Sequence, residues 1–324
     1  MDINRANMEV FFQNLSNVFA EQFNNPPANM LLNEVAMSVP STGAQTVHGW
    51  LTQVPWMREW IGDRQAKNIA SQKLTIVNRL FEDTVEIPRV DIEDDLHLNY
   101  LNNVRWMANA ALAFKEQLMV EAMLRGASDL WADGIAIYSA AGRKLDGTNA
   151  IANYTTDNLD AAGTKLNTAY AAMRSYLGNQ GKPLNVIPKY LVHGPLLRAR
   201  AVTLIESQYA ALLAADGTSY VGGQITNPNY GLVKRVESPF LINGFIDSKG
   251  TTYNAGYYWF LLGEVAGIRG LCWQIRKDPE AQMSRAQLDS DFVFATDKFQ
   301  FGSRMRGEGF ITFPFLTYAG FGTA

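Results

Sequence analysis

The chain is poor in the residues that build small secreted scaffolds and metal centres. It has one cysteine, Cys272, and three histidines in 324 residues. A single thiol cannot close an intrachain disulfide, which excludes a disulfide framework and suits a reducing, aqueous compartment. Cys272 lies in Gly270-Leu271-Cys272-Trp273 and reads as a small buried hydrophobe. His48, His97 and His193 are far apart, and none has a second histidine three or four residues away, so no zinc-type pair exists. Long apolar runs are missing too: nothing approaches the ~18 residues a membrane-spanning helix needs. Met1-Asp2-Ile3-Asn4-Arg5 lacks the basic start and apolar core of a signal peptide.

Charge is equally scarce. Charged residues make up 18% of the chain, against about 25% in an average domain. The hydrophobic fraction, 47%, is ordinary and excludes disorder. A net charge of −3 and a pI near 5.7 exclude a broad basic face that holds nucleic acid. Sparse charge suits a surface largely covered by other copies, because interface cores are depleted in charge.

Catalytic templates are absent as well. Gly178-Asn179-Gln180-Gly181-Lys182-Pro183 is too short for a phosphate-cradling loop, and its proline would spoil the helix start. There is no Gly-x-Ser-x-Gly elbow for a serine nucleophile. A dyad of Cys272 with His193 or His48 stays open as a hydrolase reading, although burial would raise the thiol pKa. The chain reads as no enzyme, with no cofactor and no metal site.

What is present is a succession of patterned segments. Met8, Phe11, Phe12, Leu15, Val18, Phe19 and Phe23 recur at helical spacing until Asn24-Asn25-Pro26-Pro27 stops the helix. The aromatic segment that follows, to about Asp63, reads either as a lobe packed on its own domain or as an arm on a neighbour. Lys73 to Val90 is rich in β-branched residues and predicts a hairpin turning at Glu82-Asp83. Its interleaved Arg79, Glu82, Glu86 and Arg89 would be either a solvated sheet face or a means of choosing a partner.

Asp91-Ile92-Glu93-Asp94-Asp95 is expected to open the next helix, since acids favour the positive end of the macrodipole. That helix, Leu98 to Arg125, is long enough to act as a spine. Beyond Gly126 the spacing predicts a helix from about Asp157 to Leu177 stopped by Gly178. It also predicts strand pieces at Leu184–Pro188 and Tyr190–Val192, and a helix opened by Pro195. Tyr257–Leu262, Ile268–Ile275, Phe292–Phe294, Phe299–Gly302 and Phe310–Phe313 read as strands. The fold class expected is α+β.

Several blocks, taken in order, resemble the major head (capsid) subunits of Mu-like tailed phages and prophages. They are Arg58-Glu59-Trp60-Ile61-Gly62-Asp63-Arg64, then Asn78 with Phe81-Glu82-Asp83-Thr84-Val85, then Asp91 to Asp95. Pro188-Lys189-Tyr190-Leu191-Val192, Gln274 to Pro279, Asp289 to Phe294 and Phe301 to Arg306 follow. The resemblance implies a Hong Kong 97-type capsid fold. Its parts would be an N-terminal arm and lead-in (1–63), an E-loop hairpin (64–95), a peripheral-domain spine helix (96–130), an axial domain (131–250) and strands returning to the peripheral domain (251–324).

It also implies self-assembly, as hexamers and pentamers, into an icosahedral shell enclosing double-stranded DNA without sequence-specific binding. The expected partners are further copies, a separate scaffold protein and a portal protein. The expected location is the virion, with assembly in the host bacterial cytoplasm. An encapsulin-like protein compartment is the alternative with the same fold. Arg58, Glu59, Arg64, Arg79, Glu82, Glu86 and Arg89 are the candidate subunit contacts, so neutralising Arg79 or Glu86 should block assembly and leave the subunit folded.

Overall fold

The computed structural model describes residues 4–25, 31–51, 71–94, 97–140, 142–145, 150–178, 181–213, 220–284 and 290–323. Helix α1 (Arg5–Asn24) opens where Asn4 Oδ1 accepts the Asn7 amide at 2.8 Å. A single helical turn, α2 (Leu31–Glu34), leads to strands β1 (Met37–Pro40), β2 (Gln45–Leu51), β3 (Ser71–Val77) and β4 (Arg79–Pro88). A short helix α3 (Arg89–Glu93) precedes α4 (His97–Arg125), the spine anticipated from its spacing. Then come β5 (Tyr154–Thr155), α5 (Thr164–Ser175), β6 (Ile187–His193) and a 3-10 turn at Pro195–Leu197, followed by α6 (Arg198–Ile205). Strands β7 (Tyr209–Leu213), β8 (Tyr220–Thr226), β9 (Lys234–Glu237), β10 (Asn243–Ile246) and β11 (Thr252–Asn254) follow. The chain closes through β12 (Tyr258–Val265), β13 (Ile268–Arg269), β14 (Leu271–Ser284), α7 (Asp291–Thr296), β15 (Lys298–Ile311) and β16 (Thr317–Phe321).

Two sheets organise these elements. One has the order β1-β14-β15-β4, antiparallel except for β1. The other runs β5-β16-β12-β6-β9, with β13 hairpinned onto β12. Helix α4 joins them. Its first half is amphipathic, burying Val104, Met107 and Ala108 beneath α1, whereas Leu118 to Leu124 is buried on every side. The all-round burial follows from covers on several faces: the larger core takes in Leu118, Met119, Val120 and Met123 together with Leu31 of α2 and Trp273 of β14. Gly309 lets β15 approach this helix closely, because a Cβ there would lie 2.7 Å from the Leu118 carbonyl oxygen.

The apolar stripe of α1 is satisfied within the chain. Met8, Phe11, Phe12, Leu15 and Phe19 fill a second core with Ile87, Val104, Phe299 and Phe301. Each such burial contributes roughly 1.5–3 kcal/mol. This helix therefore caps its own sheet, and its stripe is not available for a neighbouring subunit.

Pairing departs from the expected hairpin. β3 does not pair with β4; it pairs with β2, Gln45 opposite Val77 and Leu51 opposite Ser71. The chain breaks at Asn78, and Glu82-Asp83 lies mid-strand, opposite Arg304 and Ser303 of β15. The charge alternation that suggested a turn instead fits the cross-strand partners on β15. Of the closing segment 251–324, β12 and β16 join the sheet containing β6, not the one beneath α4. Trp259 to Leu262 is buried throughout, so β12 needs neighbours on both edges and cover on both faces.

Local expectations fail where a cap intervenes. Helix α5 starts at Thr164, because the Asp160 carboxylate accepts the Thr164 and Lys165 amides at 3.0 and 2.9 Å. It ends when Tyr176 turns extended, and Gly178 is not left-handed. Phe292-Val293-Phe294 is helical: Ser290 Oγ accepts the Val293 amide at 3.3 Å and Asp297, at φ +51°, ends the turn. Asp91 and Glu93 lie in α3 and not at the start of α4, where Tyr100 of α4 reaches back to donate its hydroxyl to Asp91.

Candidate assembly surfaces

Of the seven expected contact residues, Arg58, Glu59 and Arg64 lie outside the described residues. The other four sit on β4 and α3, in different surroundings. Arg79 begins β4 and is tied inward. Its guanidinium grips the Glu308 carboxylate with two bonds, one of them at 2.9 Å from Nη2, and Nη1 donates to Ser248 Oγ at 2.8 Å. Glu121 of α4, wholly buried, lies 3.6 Å from Arg79 and 3.2 Å from Arg125. The Ser248 amide and hydroxyl also donate to it, at 2.7 and 2.6 Å. Arg79 and Arg125 thus face Glu121 and Glu308, with Asp129 also on Arg125 at 3.3 Å, at the point where β4, α4, β15 and the 247–250 turn meet. Breaking such a cluster leaves an uncompensated buried charge. Within the chain, Arg79 is a structural joint.

Glu82, Glu86 and Arg89 lie nearer the solvent. Glu86 accepts from Lys298 Nζ at 2.7 Å and Gln300 Nε2 at 3.3 Å, and these bonds hold its carboxyl below the usual range. Glu82 accepts from Thr84 Oγ1 at 2.9 Å. Arg89 pairs with Glu93 one turn on, at 3.1 Å. Together they line one exposed edge of the four-stranded sheet.

The root of the β2–β3 hairpin is fixed by a polar chain that sequence reasoning missed. Asn78 Nδ2 donates to Ser41 Oγ and to the Gly43 carbonyl, both at 2.8 Å, and its Oδ1 accepts from Gln274 Nε2 at 2.8 Å. Gln274 Oε1 meets His48 Nε2 at 2.7 Å, and the imidazole stacks on Phe310 at 5.0 Å. Glu308 escaped notice in the same way. The available signal was its setting in Gly307-Glu308-Gly309, since glycines flanking an acid inside a strand mark a close backbone approach.

Cys272 and His193, considered above as a dyad, are both buried. Cys272 is fully buried and burial pushes its thiol up to about 12, so it offers no thiolate. The His193 ring meets the Gly194 carbonyl at 2.8 Å, and burial lowers its pKa. Glu116 of α4, against Ser238 Oγ at 2.8 Å, is pushed up to about 7 by burial.

Two sheets joined by a buried spine helix, with a hairpin anchored beside them, define the class. A chain from the procapsid of bacteriophage JBD30 superposes with a TM-score of 0.56 at 22% identity, over 98% of this chain and 76% of that one. The fold is the Hong Kong 97-type phage capsid fold. The sequence matches the Mu-like prophage major head subunit gpT family over residues 8–163, 150–241 and 246–321, and the chain belongs to that family. It is 35% identical over 130 residues to the Mu-like prophage FluMu major head subunit of Haemophilus influenzae. It is 31% identical over 102 residues to the major capsid protein of Escherichia phage Mu. These stretches cover 39% and 32% of this chain, and 42% and 33% of the two relatives, less than half of either.

Proposed function

We propose that this chain is a structural subunit that assembles with further copies into the icosahedral head shell of a Mu-like phage, enclosing packaged DNA and carrying out no chemistry. One observation carries the proposal: the family match extends from residue 8 to residue 321, so it takes in both sheets, the spine and the hairpin strands. In this reading the β2–β3 hairpin, bracketing residues 52–70, is the E-loop that reaches a neighbour. The β4-β15-β14 sheet with α4 and α1 is the peripheral domain, and the β6–β12–β16 lobe is the axial domain gathering at the five- and six-fold axes. Copies form hexamers and pentamers, and a scaffold and a portal protein take part in assembly within the host cytoplasm.

Exposed apolar side chains support a surface meant for cover, with Trp106 on α4 73% exposed and Phe294 on α7 92% exposed. The protein-cargo compartment is set aside because the family match is to phage head subunits. Negative-stain electron microscopy of purified protein is the test. Closed shells, or rings of five and six, are expected; dispersed monomers across conditions would overturn the proposal.

A further inference from the structure

The outer face of the four-stranded sheet carries a cavity of about 430 Å³ lined by Leu80, Arg276, Lys277, Arg304 and Arg306. Four cations therefore surround one opening. In register, Arg306 of β15 sits between Leu80 of β4 and Lys277 of β14, and Arg304 sits between Glu82 and Glu280. Among the described residues Glu280 answers them: it pairs with Arg304 at 3.0 Å and with Lys277. Arg276 reaches no carboxylate among the described residues, its one bond being a long 3.5 Å contact to the Ser41 carbonyl. The Arg306 Nε atom is buried and has no hydrogen-bond partner among the described residues. A buried, unpaired charge-bearing donor costs free energy unless something else meets it.

The complementary patch lies on the same chain and out of its reach. At the other end of β4, helix α3 and its cap carry three carboxylates: Tyr100 donates to Asp91, Arg89 pairs with Glu93, and Asp94 caps the turn. Asp94 is exposed and has no cation partner among the described residues. Ten residues of β4 separate the two patches, about 30 Å at strand rise. A paired strand cannot fold back on itself, so one chain cannot join its own two ends.

Resting on the shell reading above, we propose that the cationic socket takes the α3 acidic turn of a second copy. The contact is head-to-tail, with Arg276 and Arg306 meeting Asp94. A heterologous contact of this kind closes into rings when the rotation allows. Opposite charge at the two ends also rejects copies docked in the wrong sense. A duplex phosphate track is the poorer occupant, because Glu82 and Glu280 flank Arg304 in register and would repel a continuous line of phosphates.

Charge reversal on each side tests this. R276E/R306E and D94K subunits should each keep the wild-type circular dichroism spectrum yet assemble at least tenfold less, by light scattering and electron microscopy. An equal mixture should recover six-membered rings, in which the two variants alternate and each reversed socket meets a reversed acidic turn, whereas a five-membered ring cannot alternate and keeps one like-charge contact. If reversal at Arg306 unfolds the subunit, R276E mixed with D94K carries the same test at two exposed positions. Wild type that never assembles counts against the shell reading itself. Wild type that assembles while the variants do so equally well, or while they lose only retention of duplex DNA, overturns the socket alone.

Discussion

At the scale of single residues, charge in this protein divides into two kinds. Arg79 and Glu308 sit in a partly buried cluster, whereas Glu82, three residues along the same strand, faces solvent. Replacing Arg79 by alanine should cost about 2–3 kcal/mol in urea unfolding, the loss of bonds to charged partners. Glu82→Gln should stay within about 0.5 kcal/mol. Equal effects at the two positions would contradict the division. Glu116 supplies a pH signature. Its folded-state pKa, about 7, lies above the ordinary 4.5 because burial disfavours the charged form. Its favourable contribution is therefore fully present below the unfolded value and is lost as pH rises through 7. A shift of this size corresponds to about 3 kcal/mol. Glu116→Gln should flatten stability between pH 5 and pH 8, measured on dissociated subunits.

At the scale of elements, the hairpin and the spine are held by different physics. The second half of α4 is fixed by apolar cover on all sides, so its position is set by the packing of both cores. The β2–β3 hairpin is fixed at its root by the chain from His48 through Gln274 to Asn78 and Ser41. Asn78→Ala removes three of those bonds at once. The expected result is at least tenfold faster amide hydrogen exchange across residues 71–77, with β14 and β15 unchanged. Faster exchange throughout the sheet would show that Asn78 holds the whole domain and not the hairpin alone.

At the scale of the whole molecule, the small supply of charge becomes a statement about contacts. Apolar residues such as Trp106 and Phe294 give area without direction, whereas the socket and the acidic turn give direction with little area. If charge steers the encounter of copies, assembly should slow as salt rises from 0.05 to 0.5 M, because screening shortens the reach of those patches to a few ångströms. Stopped-flow light scattering reads this directly. A rate that climbs with salt would mean that apolar contact governs the encounter.

The sequence by itself determined the local elements whose signal is periodic: the α1 stripe, the α4 spine, the Pro195 start and the apolar runs of the closing strands. It determined the family too, because ordered blocks such as Phe81-Glu82-Asp83-Thr84-Val85 survive without any geometry. Only the tertiary structure decided which strand pairs with which. Period-two alternation records which face is buried and says nothing of the partner, so β3 could be read against β4 when its true partner is β2. Caps likewise overruled periodicity at Asp160 and Ser290, where side-chain bonds to backbone amides set a boundary that hydrophobic spacing cannot. The charges were legible as residues but not as a site. Arg79 meets Glu308 across 229 positions of chain, and a separation of that length becomes a contact only when the fold closes it.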